Sequence, residues 1–522
     1  MALEGIFLGG AIRFVQALAL AAPTILVGLF VAGVFERLFG YDTTRRLFGG
    51  KGVKSLVLAW LMGMLLPVCS LGVVPVLRVL KRAGLGGGTL LAFALAAPLF
   101  NPISLLYGLT LSRPVVVVTF ALCSLLVVTV VGAVWDRLFP GTAAPSPSPP
   151  PVAPGFKRML SIGVAALREF SGPTLGYILL GAAGSALLGM ILPHGALQRA
   201  MNGDNPFAPL SMAAVSIPAY ATPMLAISQL GSMFQHGNSV GASYVLLTFG
   251  TGLNLGLLAW MVAQFDWRRA GVWLCLMVVL VLGLAYAVDK PLYPDDVDPA
   301  DHTHAFDIYC SPFVSDGGNA WQMASLKLQD AVRPHEWTLL LVTGVLCLAA
   351  VALRFVDPHQ RLELWLERQP ERRASLDIRV PSAVLGMVFL LVLVGLSVAG
   401  CYIYYPEPKV VFEELQSIRA EALVAAKQGN TKQADHWIGL WDEWTRRLEV
   451  GEFLRQGRVS DYQHMKARIL REKLELLRHE VEDGDRAAAA QLIRQVHEAY
   501  DRLQRAFSSS NNTAVASSQT TP

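Results

Sequence analysis

Apolar and polar positions fall into long blocks along this chain, far longer than the stripes of a soluble helix or strand. The apolar blocks run over 11–38, 54–82, 89–111, 115–138, 169–192, 210–233, 241–263, 272–288, 338–355 and 383–405. Most reach the ~20 residues that a helix needs to cross a bilayer. Two of them are interrupted. The second block carries Pro67-Val68-Cys69-Ser70-Leu71-Gly72-Val73-Val74-Pro75, and the sixth carries Ser216-Ile217-Pro218-Ala219-Tyr220-Ala221-Thr222-Pro223. Proline removes a backbone donor and breaks the helical ladder. At membrane depth the freed polar groups must be satisfied by protein or by a water-lined cavity. Broken helices at that depth are the usual mark of a transport site. The pattern predicts an all-α polytopic membrane protein that works as a permease.

The first eight blocks divide into two halves of four. Pro23-Thr24 lines up with Pro173-Thr174, Pro67 with Pro218, and Asn101 with Asn254, at a common offset of about 150 to 153 residues. Charge then separates two topologies. Lys and Arg gather in 37–54, 78–82, 137–168, 268–269 and 354–379, whereas 112–114, 193–205 and 235–239 hold few, and Asp295, Asp296, Asp298 and Asp301 make the junction after the eighth block acidic. Basic loops belong on the cytoplasmic side. If each broken block enters and leaves on one side, every basic cluster falls inside. The fold is then two inverted repeats with re-entrant hairpins and eight crossings in all. The alternative is a parallel duplication in which both broken blocks are kinked full spans.

This division gives permease repeat 1 over 1–139, a Pro-rich linker over 140–155, and permease repeat 2 over 156–289. An extracytoplasmic loop over 290–335 and two additional transmembrane helices over 336–405 follow. An extracytoplasmic helical domain over 406–507 shows helical apolar spacing at Tyr462, Met465, Ile469, Leu470, Leu474 and Leu477. The last segment, 508–522, is polar and expected to be disordered.

Composition agrees with a membrane protein. Hydrophobic residues make up 53% and charged residues 16%, against about a quarter charged in soluble domains, and mean hydropathy is +0.45. The net charge of +4 lies in short loops, which points to membrane orientation and away from nucleic acid. The expected setting is the cell inner membrane, multi-pass, with residues 406–522 outside. The first apolar block continues directly into Glu36 and Arg37, so it reads as a retained membrane helix. Six cysteines do not make a disulfide framework, and Cys123, Cys275 and Cys347 sit inside apolar runs as packing residues. Cys310 and Cys401 would share the outer side, where a disulfide is geometrically conceivable.

The run Pro67 to Pro75, followed by Lys81-Arg82 and Ala96-Ala97-Pro98-Leu99-Phe100-Asn101-Pro102, resembles the predicted-permease family that contains the organoarsenical efflux permeases (ArsP-type). The likeness covers about 11–288. Leu71 stands where that family commonly has a second cysteine, and the second-half motif is degraded. The resemblance implies export of small solutes, trivalent organoarsenicals among them, through a duplicated membrane domain.

The residues themselves suggest a matching site. Cys69 and Ser70 lie at a hairpin turn, and a thiolate is a soft ligand able to hold a soft metalloid; close packing is the plainer role for Cys69. Asn101 and Asn254 stand beside prolines or glycines, where an amide can cap a broken helix or bind substrate. Pro67, Tyr220 and Thr222 complete the candidate substrate-binding set, with helix packing as the alternative for the last two. No Asp or Glu lies near the centre of any apolar block; Glu169, at the cytoplasmic edge of the fifth, comes nearest, making it the one candidate proton relay or else an interfacial residue. His302, His304 and Asp307 could ligate zinc or copper, or form a solvated acidic loop. No Gly-x-x-x-x-Gly-Lys-[Ser/Thr] occurs, so no P-loop is expected, nor any cofactor or enzymatic activity. The expected partners are a small-molecule substrate, the lipid bilayer and a protein bound by the helical tail. The rival to transport is a membrane-embedded sensor or assembly subunit acting through that tail.

Overall fold

A computed structural model describes residues 3–50, 52–101, 104–106, 108, 114–141, 146–150, 152, 155–294, 305–313, 320–368 and 380–518. The architecture is all-helical, with no strand among the described residues. The chain forms two compact units, one up to residue 395 and one from 396 onward.

In the first unit, α1 (Leu3–Val34) passes through a π-helical turn, Phe35–Phe39, into α2 (Gly40–Leu47). A broken pair follows, α3 (Val53–Leu65) and α4 (Val73–Arg82), then α5 (Gly87–Leu99) and α6 (Pro114–Leu138). The second half repeats the plan. There α7 (Phe156–Glu169) joins α8 (Leu175–Ile191) through a π-helical turn, α9 (Ala208–Ser216) and α10 (Pro223–Gln235) flank the second break, and α11 (Val240–Val245), α12 (Leu255–Phe265) and α13 (Trp267–Leu292) close the half. Four further helices follow: α14 (Ala320–Ala331), α15 (Pro334–Val356), α16 (Arg361–Glu367) and α17 (Ser382–Tyr404).

Six helical stretches among the described residues are long and apolar enough to cross a bilayer, and the bent pair 240–250 and 255–265 makes a seventh. That pair bends by 56°. The blocks 89–111 and 241–263, expected as plain crossings, are therefore broken as well, at Asn101 and Asn254. Continuous hydropathy hides these breaks because the residues around them remain apolar.

Contacts fix the course of the broken pairs. Ser55 Oγ and Thr89 Oγ1 lie 2.6 Å apart, and further along Gly63 packs on Ala96 and Ala97. α3 and α5 thus run parallel, so α4 returns between them as the second leg of a hairpin. In the second half, Gly203 N donates to Gly237 O at 3.1 Å, Gly241 meets Pro209, and Gly250 faces Ser216. α9 and α11 are likewise parallel, with α10 returning between them. Corresponding helices of the two halves oppose each other. Gly9 meets Gly189 while Gly33 meets Ile162, so α1 is antiparallel to α7–α8. Phe120 stacks near Tyr244 at one end of α6, and Arg269 of α13 lies over Phe139 at the other.

One end of this unit collects the basic clusters. Arg37 pairs with Glu367 at 3.4 Å, and Arg168 with Asp357 and Glu363 at 2.9 and 2.7 Å. Arg354 donates to Ser171 O at 2.9 Å. The opposite end holds Arg13, the loop 305–313 and the Asn202–Asn238 bridge. α15 packs on α1 and α7, leaving Leu341, Val345 and Leu348 exposed on its other face.

The second unit contains a four-helix bundle: α18 (Pro408–Gln428), α19 (Thr431–Gln456), α20 (Asp461–Asp483) and α21 (Arg486–Ser518). Gly429, Gly457 and Gly484 take positive φ at the helix ends, where a side chain would be strained. The core is built on Phe412, Leu415, Trp441, Leu448, Leu470, Leu474, Leu477, Tyr500 and Phe507. The predicted stripe is correct at Leu470, Leu474 and Leu477, but Tyr462 and Met465 are exposed; Ala467 and Val481 take the inner face instead. The final helix continues past Phe507 to Ser518, and Phe507 is its last described buried position. Inside the bundle, burial pushes the Asp442 carboxyl up, but Arg446 and Arg471 outweigh it and hold it at about 2.

Two predictions follow from this architecture. In a cysteine-free background, Lys54→Cys and Gly86→Cys should react with an impermeant maleimide from the same side of sealed vesicles. Labelling from opposite sides would replace the α3–α4 hairpin with a full crossing. In the bundle, Glu449 Oε1 lies 2.7 Å from His464 Nδ1, and this bond raises the His464 pKa against the opposing effect of burial. A raised folded-state pKa gives stability that is full below the ordinary histidine value, about 6.5, and is lost as pH rises through the folded value. Hydrogen exchange over 461–483 in the full chain should therefore lose protection as pH rises through that range, and His464→Gln should abolish the slope. An unchanged slope in the variant would show that another group carries it.

Candidate functional site

The first break runs from Leu66 to Gly72. Leu66 is extended, Pro67 cannot donate, and the chain turns so that Val73 N donates to Cys69 O at 2.8 Å. Cys69 is fully buried. Its sulfur accepts from Gly72 N at 3.3 Å and from Thr24 Oγ1 at 2.9 Å. The hairpin tip reaches α1 this closely because Gly28 and Gly72 face each other; a Cβ on either would collide with neighbouring backbone.

The second break holds its backbone by different means. Tyr220 N donates to Ser185 Oγ at 3.0 Å, and Ala221 N to Gly250 O at 2.9 Å. Thr222 caps α10 by accepting from Leu225 N at 3.1 Å. Gly181 and Gly184 of α8 form a smooth face beneath the breaks: Gly181 abuts Leu71 and the Asn254 amide, and Gly184 abuts the Pro218 carbonyl. The first and second breaks and Asn254 thereby converge on one helix.

Cys69 and Tyr220 belong to one buried cluster with Ala17, Ala21, Ile25, Leu71, Ile178 and Ala182. The Tyr220 hydroxyl approaches Thr24 and Cys69 without reaching hydrogen-bond geometry. The buried hydroxyls of Ser70 and Ser216 and the Asn254 Nδ2 also lack a partner. Buried polar atoms are nearly always bonded; in this unit the unpartnered ones include these four at the breaks and others away from them, at Asn238, Tyr244, Thr248 and Trp260.

Asn101 and Asn254 have matched geometry. Asn101 Oδ1 accepts from Ser104 N at 2.7 Å, and Asn254 Oδ1 from Leu257 N at 2.9 Å. Each caps the helical segment after a break. In Asn254 this occupies the oxygen and leaves the NH2 group for other work.

Glu169 lies apart from Cys69, at the basic end. It sits just before the turn in which Pro173 forces Gly172 out of helical geometry. Its carboxylate is 2.6 Å from Arg78 Nε and 2.8 Å from Arg82 Nη2, and it accepts from Thr174 Oγ1 at 2.7 Å. Arg82 also reaches Glu36 at 3.4 Å. This is an ion-pair anchor tying the first hairpin to the second half.

His302 and His304 lie outside the described residues. Asp307 Oδ2 is 4.0 Å from His194 Nε2. No group of three metal-ligating side chains occurs among the described residues. Cys310 and Cys401 are free thiols.

Several polar residues of the membrane unit went unread in the sequence. Thr24 is marked in the sequence only by the repeat. Arg13 is buried and donates to Cys310 O at 2.8 Å, and Gln229 binds Ala305 O at 2.8 Å and Tyr309 at 3.0 Å. These two seat the loop 305–313 against the unit. Their rarity inside apolar blocks was the available signal.

The sequence profile of the ArsP-type predicted permease family matches residues 8–289. The chain is 30% identical over 92 residues to the UPF0718 protein YcgR of Bacillus subtilis (strain 168), a match covering 18% of this chain and 31% of that protein. The aligned part is thus about a third of the relative's length. No solved structure matches the chain.

The ion-pair anchor makes a direct prediction. Glu169→Gln removes the carboxylate shared by two arginines and should cost about 2–3 kcal/mol. That is below the figure for a fully enclosed pair, because Arg82 keeps some solvent. Thermal unfolding of the purified protein measures this. An unchanged midpoint would leave Glu169 without an anchoring role.

Proposed function

The chain belongs to the ArsP-type predicted permease family, and on that premise we propose that it is a secondary exporter of small solutes that works by alternating access between the two hairpins. The basic end is cytoplasmic in this reading, the membrane is the cell inner membrane, and the bundle 408–518 is extracytoplasmic. The two halves act as inverted repeats, a reading supported by the antiparallel course of α1 against α7–α8 and by hairpins that open at opposite ends.

The observation that carries the proposal is the setting of Cys69. A thiol sits at the tip of one hairpin, in one buried cluster with Tyr220 of the other, beside hydroxyl and amide groups that lack partners. A soft, polarizable solute is the class such a site favours, and trivalent organoarsenicals or another soft metalloid fit it. Pro67 shapes the turn, Ser70 and Tyr220 supply hydroxyls, and Asn101, Thr222 and Asn254 hold the broken ends while Asn254 Nδ2 faces the solute. In this scheme Glu169 anchors rather than relays protons.

A second reading is favoured by the compact bundle from 408 onward: a membrane-embedded sensor or assembly subunit whose bundle binds a protein partner. Removing 407–522 separates the two, since transport that survives the deletion excludes a sensor that acts only through the tail.

The site reading predicts that Cys69→Ser lowers soft-metalloid export in an expressing strain about tenfold or more, while Cys123→Ser leaves it unchanged. Serine keeps size and hydrogen bonding but loses the sulfur's affinity. Equal resistance in both variants would reduce Cys69 to a packing residue.

A further inference from the structure

At the basic end, a cavity of about 350 Å³ lies between the two halves, lined by Arg78, Lys81, Arg82, Ser146, Pro173, Tyr177 and Gln264. This volume lies within the range of small-ligand sites. Its position is specific. Tyr177 stands one helical turn before Gly181, which carries Leu71 and Asn254, so the cavity is a vestibule directly beneath the convergent breaks.

Its charge does not balance. Arg78 and Arg82 share Glu169 at 2.6 and 2.8 Å, and Arg82 has Glu36 at 3.4 Å. Among the described residues, two carboxylates thus face three cations. Lys81 is the cation left over. It donates to Gln264 Oε1 at 2.8 Å and to Gln264 O at 3.2 Å, and it lies 5.1 Å from the Phe265 ring centre. All three of these partners are neutral. They hold the ammonium in place without compensating its charge, and they use two of its three donors. The hydroxyl-bearing Ser146 and Tyr177 also line the cavity.

We propose that this vestibule binds a small oxyanion, a phosphate, sulfonate or carboxylate group, through Lys81 with Arg78 and Arg82 beside it. This rests on the transport reading in one respect: a solute passing from the vestibule to Cys69 would carry an acidic group as well as a soft centre. The same chemistry could come from a free solute or from an anionic lipid headgroup.

The test uses the full-length protein, purified in neutral detergent and stripped of lipid. Its thermal unfolding is followed with sodium phosphate or sodium sulfate against sodium chloride at matched ionic strength. A saturable rise with either oxyanion is expected. It should be about tenfold weaker in apparent affinity for Lys81→Gln and unchanged for Lys54→Gln, an exposed lysine elsewhere. An equal response to chloride, or equal loss in both variants, overturns the site. Acetylation of Lys81 in the unmutated protein, mapped by mass spectrometry, decides the case if Lys81→Gln does not fold: phosphate should protect Lys81, and absence of protection overturns the proposal. Nanodiscs of phosphatidylcholine with or without phosphatidylglycerol separate the sources. A Lys81-dependent rise with phosphatidylglycerol that removes the phosphate effect assigns a headgroup, and a phosphate effect that persists assigns a free solute. Oxyanion binding without transport of any solute would uphold the site and remove the transport reading, and transport without oxyanion binding would do the reverse.

Discussion

Every broken helix in the membrane unit faces the same constraint: backbone donors and acceptors released by the break must find partners where there is no water to supply them. The structure meets this with short polar side chains placed at the breaks. Thr222, Asn101 and Asn254 cap the segments that follow, Ser185 takes the Tyr220 amide, and the Gly250 carbonyl takes the Ala221 amide. Glycines on α1 and α8 let these irregular stretches lie against helix backbone without a gap. Ser70, Ser216, Tyr220 and Asn254 keep unpaired side-chain atoms at the breaks. Satisfying the backbone and leaving a few side-chain groups unpaired at the breaks are thus two results of one arrangement.

The second organising force is electrostatic and sits at one end. Glu169 holds Arg78 and Arg82 of the first hairpin from across the interface between halves. It does so beside the turn in which Pro173 takes Gly172 out of helical geometry. The ion pairs thus bridge the two halves at a point where helical geometry is interrupted. The same arginines flank the vestibule, so the anchor also sets its charge.

Much of this was legible in the sequence, for identifiable reasons. Pro67 and Pro218 announced two breaks because proline cannot continue a helix, and the repeat offset paired Asn101 with Asn254 before their capping geometry was known. The distribution of Lys and Arg favoured hairpins, and Ser55 beside Thr89 shows the parallel course that hairpins require. The breaks at Asn101 and Asn254 themselves were masked by continuous hydropathy. Partnerships across long separations were also out of reach: nothing local links Thr24 to Cys69, Arg13 to Cys310, or Glu169 to Arg78. In the bundle the apolar stripe of α20 was misplaced at its start, since Tyr462 and Met465 are exposed while the small Ala467 is buried. Size misleads where a helix crosses closely.

The central claim is that the buried thiol at the first hairpin tip lies on a path open in turn to each side. It is tested most directly by the reactivity of Cys69 itself, with the other five cysteines replaced and the protein reconstituted in sealed vesicles of known orientation. Cys69 is fully buried in this conformation, so any modification by an impermeant maleimide reports a change of state. Alternating access predicts slow labelling from both sides. Labelling from neither side, in protein that reacts fully once unfolded, would contradict it and return Cys69 to the helix core.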